Sequence, residues 1–215
     1  MPDLMSLSAL DPVTIAVFVA LGVLSVIALT VSFFKFIQFG RLGVGRLRLA
    51  ERILEDWLSG RPDEAFRSAN QRRTVLARVL QAVFTGLQAR PGDAAYAEEL
   101  ARQTALTELA RMSSRMRLLE AVVQAAPMLG LLGTVIGMID AFGTLSVSQG
   151  AVDPALLAGG IWTALTTTAV GLAIALVTFF IANLLESQIE RERQAIETLI
   201  SAAIHGRIGA NAAPA

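Results

Sequence analysis

Residues Ala126 to Phe142 read A-P-M-L-G-L-L-G-T-V-I-G-M-I-D-A-F, a long apolar run in which Gly130, Gly133 and Gly137 recur at helical spacing. Thr134 and Asp140 stand in the same run, where lipid would reject them. A plain membrane anchor requires none of these residues. Glycines let a second helix backbone come close, and a polar group in hydrocarbon needs a protein or water partner. The stretch is therefore expected inside a packed, functional membrane bundle.

The rest of the chain agrees. Of 215 residues, 54% are hydrophobic, and mean hydropathy is +0.58, well above a soluble domain. There is no cysteine, which excludes disulfides and thiolate metal sites. A net charge of zero conceals strong segregation. No Lys or Arg precedes Lys35, none lies between Arg117 and Arg191, and fourteen Arg fall from Arg41 to Arg117. A bilayer core needs about 20 mostly apolar residues in a helix, and three stretches qualify, 13–39, 121–147 and 155–185. The first lacks a basic leading region and a small-residue cleavage site, and its apolar run is too long for a signal peptide, so a retained helix is expected. Basic loops stay in the cytoplasm. Arg41, Arg46, Arg48 and Arg52 follow the first span, Arg111, Arg115 and Arg117 precede the second, and Arg191 and Arg193 follow the third. The expected order is a periplasmic N-terminus (1–12), a cytoplasmic helical domain (40–120), a periplasmic hairpin (148–154) and a cytoplasmic C-terminal helix with a disordered tail (186–215).

The fold class is therefore all-α: an integral membrane protein with three transmembrane helices whose long helices extend into a cytoplasmic helical bundle. Gly60-Arg61-Pro62 and Arg90-Pro91-Gly92 are turn signals. Between them Leu76, Val79, Leu80, Val83, Phe84 and Leu87 recur at threes and fours, an amphipathic helix. Asp93 is a fitting N-cap, and nothing breaks the helix after it until Pro127, so span two is expected to continue it, with Leu100, Leu106, Leu109 and Met116 as the apolar stripe. Ile189, Ile196, Leu199 and Ile200 mark a further amphipathic stretch. Fourteen Arg against ten acids leave residues 41–120 at +4. That excess reads as topology signal and solvated helix faces, not as nucleic-acid binding.

Span three carries small residues at fours and threes: Gly160, Ala164, Thr168, Gly171, Ala175, Thr178 and Ala182. Such a stripe permits close helix contact or lines a narrow path. Thr163 and Thr167 form a neighbouring line, and Gly133, Gly137, Asp140 and Thr144 share one face of span two. A threonine hydroxyl can bond back to the carbonyl three or four residues earlier and remain silent. Four threonines within six residues (Thr163, Thr166, Thr167, Thr168) equally suit a polar lining. Asp140 is open to two readings, a carboxylate at the outer interface reached by water, or an ion-handling group. His205 has no companion His, so no metal site is expected, and no nucleophile motif or P-loop suggests an enzyme or a cofactor. No second membrane carboxylate pairs with Asp140, so a titrating group for ion movement would come from a partner.

On these residues the chain resembles the ExbB/TolQ branch of the MotA/TolQ/ExbB family of proton-driven inner-membrane motors. The resemblance covers the three-span topology and is most specific in A-P-M-L-G-L-L-G-T-V-I-G-M-I (Ala126–Ile139) and G-I-W-T-A-L-T-T-T-A-V-G-L (Gly160–Leu172). It implies a homopentameric ring around a single-span ExbD- or TolR-like partner whose Asp takes up periplasmic protons. It further implies that Thr134 and Thr168 face that Asp, with Thr163 and Thr167 beside the pathway, and that force passes to a TonB- or TolA-like protein. Thr163 stands where many members carry Glu, and Val177 where many carry Pro. The competing readings are a flagellar-stator-like subunit, a branch with four spans, a solute transporter, which would show an internal repeat or broken helix, and a non-conducting scaffold.

Overall fold

The structure is a computed structural model and describes residues 12–72, 74–147 and 154–206. Expectations for the segment 1–11, the hairpin core 148–153 and the tail 207–215 lie outside the described residues. Among the described residues seven helices follow in order: α1 Pro12–Leu42, α2 Leu47–Leu58, α3 Pro62–Asn70, α4 Val75–Ala89, α5 Ala94–Ser113, α6 Met116–Val147 and α7 Pro154–His205. No strand occurs among the described residues, and the fold is all-α. Three helices among the described residues are long and apolar enough to cross a membrane. The chain separates into two compact units, Met1–Phe33 with Arg115–Asn183, and Phe34–Ser114 with Leu184–Ala215.

The first unit holds the apolar halves of α1 and α7 together with α6. Its inner contacts are small: Val17, Leu21, Ala126 and Ala175 form the buried cluster, with Leu24, Leu129, Val170 and Ile174 packed on it. Its large side chains point outward instead. Val26, Phe33, Met128, Ile139, Trp162 and Leu165 are all exposed. In water so much exposed apolar surface would drive aggregation; in lipid it is the solvent-matched face. The burial pattern and the helix lengths together make this a multi-pass membrane protein.

The second unit has the opposite organisation, with large apolar side chains inside. Leu76, Val79, Leu80, Val83 and Phe84 of α4 are all buried, as their spacing predicts, and Trp57 stacks on Phe84 with ring centroids 4.2 Å apart. Thr74 caps α4 by accepting from the Ala77 N–H. Asp93 caps α5 as expected, its Oδ1 accepting from the Tyr96 N–H at 3.0 Å. The turns at Gly60–Pro62 and Arg90–Gly92 also stand where the sequence puts them. A further break at Gly43–Arg46 is new. Gly43 has φ +63, and a Cβ there would lie 2.6 Å from Thr74 Cγ2, so only glycine fits.

Two expectations are corrected here. The buried stripe of α5 is Ala97, Ala101, Ala105, Glu108 and Met112, while Leu106 is 60% exposed and Leu100 and Leu109 are half-buried. The reason is close approach: a Cβ on Gly86 of α4 would fall 2.5 Å from Ala97 Cα, leaving no room for leucine at that face. Nor does one helix run from Asp93 to Pro127. α5 ends at Ser113, Arg115 has φ +66, α6 starts at Met116, and Pro127 lies inside it. The stop is made by side chains far away in sequence. The last carbonyls of a helix have no partner within it. Here Gln38 Nε2 donates to the Arg111 carbonyl at 3.1 Å and Lys35 Nζ donates to the Met112 carbonyl.

Candidate functional site

Small residues recur along both helices of the hairpin in the membrane unit, and the structure brings them into one antiparallel seam. A Cβ on Gly171 would lie 2.5 Å from the Ala126 carbonyl oxygen. On Gly130 it would meet the Thr167 carbonyl oxygen and Thr168 Cα, both at 2.9 Å. On Gly133 it would meet Thr167 Oγ1 at 2.5 Å, on Gly137 Ala164 Cβ at 2.8 Å, and on Gly160 Ala141 Cβ at 2.9 Å. All five glycines singled out by spacing therefore sit where a side chain would push α6 and α7 apart. Without a hydrophobic drive in lipid, such backbone contact supplies the dispersion energy that holds two helices together.

The threonines divide by what their hydroxyls do. Thr134 Oγ1 donates to the Leu131 carbonyl at 2.6 Å, and Thr163 Oγ1 to the Gly159 carbonyl at 3.0 Å. Both side chains are half-buried and bonded within their own helix. Thr167 is fully buried, with Oγ1 2.6 Å from the Ala164 carbonyl and 3.1 Å from the Gly130 carbonyl of the opposite helix. A hydroxyl carries one proton, so Thr167 shares it between a bond back along α7 and a bond across the seam. Thr168 differs from all three. Its Oγ1 is buried and has no hydrogen-bond partner.

The buried line on α7 runs through Ala164, Thr167, Gly171, Ala175, Thr178 and Ala182. It passes through Thr167 where the spacing argument chose Thr168, a difference of one position around the helix. Asp140 is exposed on α6, and its backbone carbonyl accepts from Thr144 Oγ1 at 2.9 Å. The sequence reading passed over Thr14 and Ser32, both buried on α1, and Ser32 Oγ also lacks a partner. Isolated small polar residues in an apolar run carry no spacing signal, so only packing reveals them. Among the described residues no group of three His, Cys, Asp or Glu is placed to hold a metal.

Chemically, the seam offers uncharged hydroxyls and backbone carbonyls at the closest helix approach. It can hydrogen-bond a carboxyl in either protonation state, since a hydroxyl both donates and accepts. It holds no acid or base of its own.

Residues 70–198 match the model of the MotA/TolQ/ExbB proton channel family. The chain is 31% identical over 137 residues to a biopolymer transport protein ExbB homolog of Methanothermobacter thermautotrophicus, an alignment covering 63% of this chain and 47% of the relative. It is 30% identical over 141 residues to an ExbB-like biopolymer transport protein of Synechocystis, covering 65% and 66%. To the biopolymer transport protein exbB1 of Vibrio cholerae it is 38% identical over 87 residues, 40% of this chain and 38% of the relative. The chain thus spans between about two fifths and two thirds of these relatives' lengths.

Proposed function

The chain belongs to the MotA/TolQ/ExbB proton channel family, in its ExbB branch, and from that premise we propose that it is the ring-forming subunit of a proton-driven motor in the bacterial inner membrane. In this reading several copies, five by family resemblance, surround a single-span ExbD- or TolR-like partner. The N-terminus is periplasmic and the C-terminus cytoplasmic. Proton passage drives the partner against the ring, and force reaches a TonB- or TolA-like protein. Each charge crossing the membrane makes about 2.3 kcal/mol available per 100 mV.

The observation that carries the reading is the buried, unpartnered hydroxyl of Thr168 beside the α6–α7 seam. A polar group left without a partner in an apolar interior costs about 1–3 kcal/mol. That cost is offset if a carboxyl from a partner helix docks there in the working complex. Thr168 as a residue is half-buried, and threonine in a helix divides between two χ1 rotamers, so one side-chain rotation would turn the hydroxyl toward a docking helix. Thr134, also half-buried, retains free acceptor capacity on its oxygen while donating to Leu131. A passive scaffold would give Thr168 no reason to forgo the back-bond that Thr163 and Thr166 make.

The test replaces only the hydroxyl. Thr168→Val, co-reconstituted with the single-span partner in vesicles, is expected to assemble normally but lose at least tenfold in proton flux, read by an internal pH dye. Wild-type flux in an assembled Thr168→Val complex would remove this hydroxyl from the pathway.

A further inference from the structure

Glu192 lies on α7 in the unit formed by Phe34–Ser114 and Leu184–Ala215, beyond the span expected to end at residue 185. It is 2% exposed. Its Oε2 accepts from the Gly45 N–H at 2.9 Å, and its Oε1 is buried with no partner. Gly45 adopts φ +82, a left-handed conformation natural to glycine, and so presents its N–H to α7. No ion pair to Glu192 occurs among the described residues. On α7 itself Glu190, Arg191 and Arg193 are exposed, with Arg193 engaged by Glu190 and Glu197. On the α1–α2 side Arg41, Arg46 and Arg48 are exposed and Glu51 is half-buried. The other buried charges of the same unit, among the described residues, are committed elsewhere: Lys35 to the Met112 carbonyl, and Glu108 to Arg78 and Arg111 at 2.8 and 2.9 Å.

A buried carboxylate with one hydrogen bond and no counter-charge among the described residues is in an expensive state, and the least costly way to relieve it is to take up a proton. The two oxygens are already distinguished, one bonded and one bare. We propose that Glu192 is a proton-binding site, holding a proton on Oε1 while Oε2 keeps the Gly45 N–H. The transfer is simple: a hydronium ion or buffer acid gives its proton to an Oε1 lone pair, one O–H bond forms as the donor's breaks, and the carboxylate charge is cancelled. The bond that fastens the α1–α2 connection to α7 survives in the neutral form. Loss of the proton leaves a buried, uncompensated charge behind that fastening and loosens it.

Burial raises the carboxyl above its ordinary value of 4.5, with the Gly45 N–H pulling the other way. A pKa raised in the folded unit means stability that is fully present below pH 4.5 and lost as the pH climbs through the raised value. The site therefore couples the proton supply on its side of the membrane to the tightness of the α7–Gly45 contact. It stands independently of whether the ring conducts protons.

The experiment is a pH titration of the full chain in lipid nanodiscs, followed by infrared difference spectroscopy of the carbonyl stretch of protonated carboxyls. The expected result is a protonated-carboxyl band that persists above the ordinary glutamate range and is lost in Glu192→Gln. Glu192→Asp keeps a carboxyl and must shift that band, which leaves the test decisive if the glutamine variant fails to fold. The proposal is overturned if wild type shows no such band, if Glu192→Gln leaves it intact, or if Glu192→Asp leaves it unmoved.

Discussion

Lys35 is the single lysine of the chain, beside seventeen arginines, and it is fully buried. Its ammonium reaches the Met112 carbonyl at the C-terminal end of α5 and lies 5.6 Å from the centre of the Phe39 ring. A cation is favoured there by the exposed carbonyls of the helix end and by the face of the aromatic ring. Lys35→Met retains the stem and removes the donor, leaving the Met112 carbonyl buried and unsatisfied. We expect it to destabilise the helical unit by about 1–3 kcal/mol, seen as a lower unfolding midpoint in thermal circular dichroism. An unchanged midpoint would show that the contact contributes nothing. The charge was visible in the sequence only as an early base at the end of span one; its role required knowing that residues 77 positions apart meet.

At the scale of elements, the α6–α7 hairpin depends on the absence of side chains. Gly130 faces backbone atoms of α7, which cannot yield as a flexible side chain would. Gly130→Ala is therefore expected to cost about 1–3 kcal/mol through overpacking, although alanine is the better helix former. Gly22→Ala on α1 meets open space within a single chain and is expected to leave stability unchanged or raised. The pair is measured by thermal unfolding in detergent, and equal midpoints for the two variants would mean that the seam is not held at backbone contact. The glycine spacing announced this contact, because a repeat at threes and fours marks one helix face whatever lies opposite. The α5 face was misjudged for a related reason. Apolar periodicity favours leucine over alanine as the buried residue, but a close helix pair with Gly86 at its centre accepts only alanine.

For the molecule as a whole, the outward-facing apolar residues of the membrane unit leave a broad apolar surface uncovered within a single chain. Under the proposed function part of that surface packs against neighbouring copies and the partner span. Native mass spectrometry of the chain co-expressed with a single-span neighbour is expected to give five copies with two of the partner. A monomer, or a ring that never incorporates the partner, would overturn the motor reading. It would leave the Thr168 hydroxyl unexplained, while the Glu192 carboxyl would remain to be judged by its own titration.

The three membrane helices, the turns at Gly60–Pro62 and Arg90–Gly92, the Asp93 cap and the glycine seam were all legible in the sequence. Each rests on local composition, on period, or on a backbone preference that a residue carries wherever it stands. Tertiary structure alone decided where α5 stops, since its terminal carbonyls are satisfied from α1. It also decided which of two adjacent threonines crosses the seam and which keeps an idle hydroxyl, a matter of roughly one residue step around a helix, about 100°. And it singled out Glu192 among the acids of the described residues, because desolvation depends on what surrounds a carboxylate in space, and a sequence names only its neighbours along the chain.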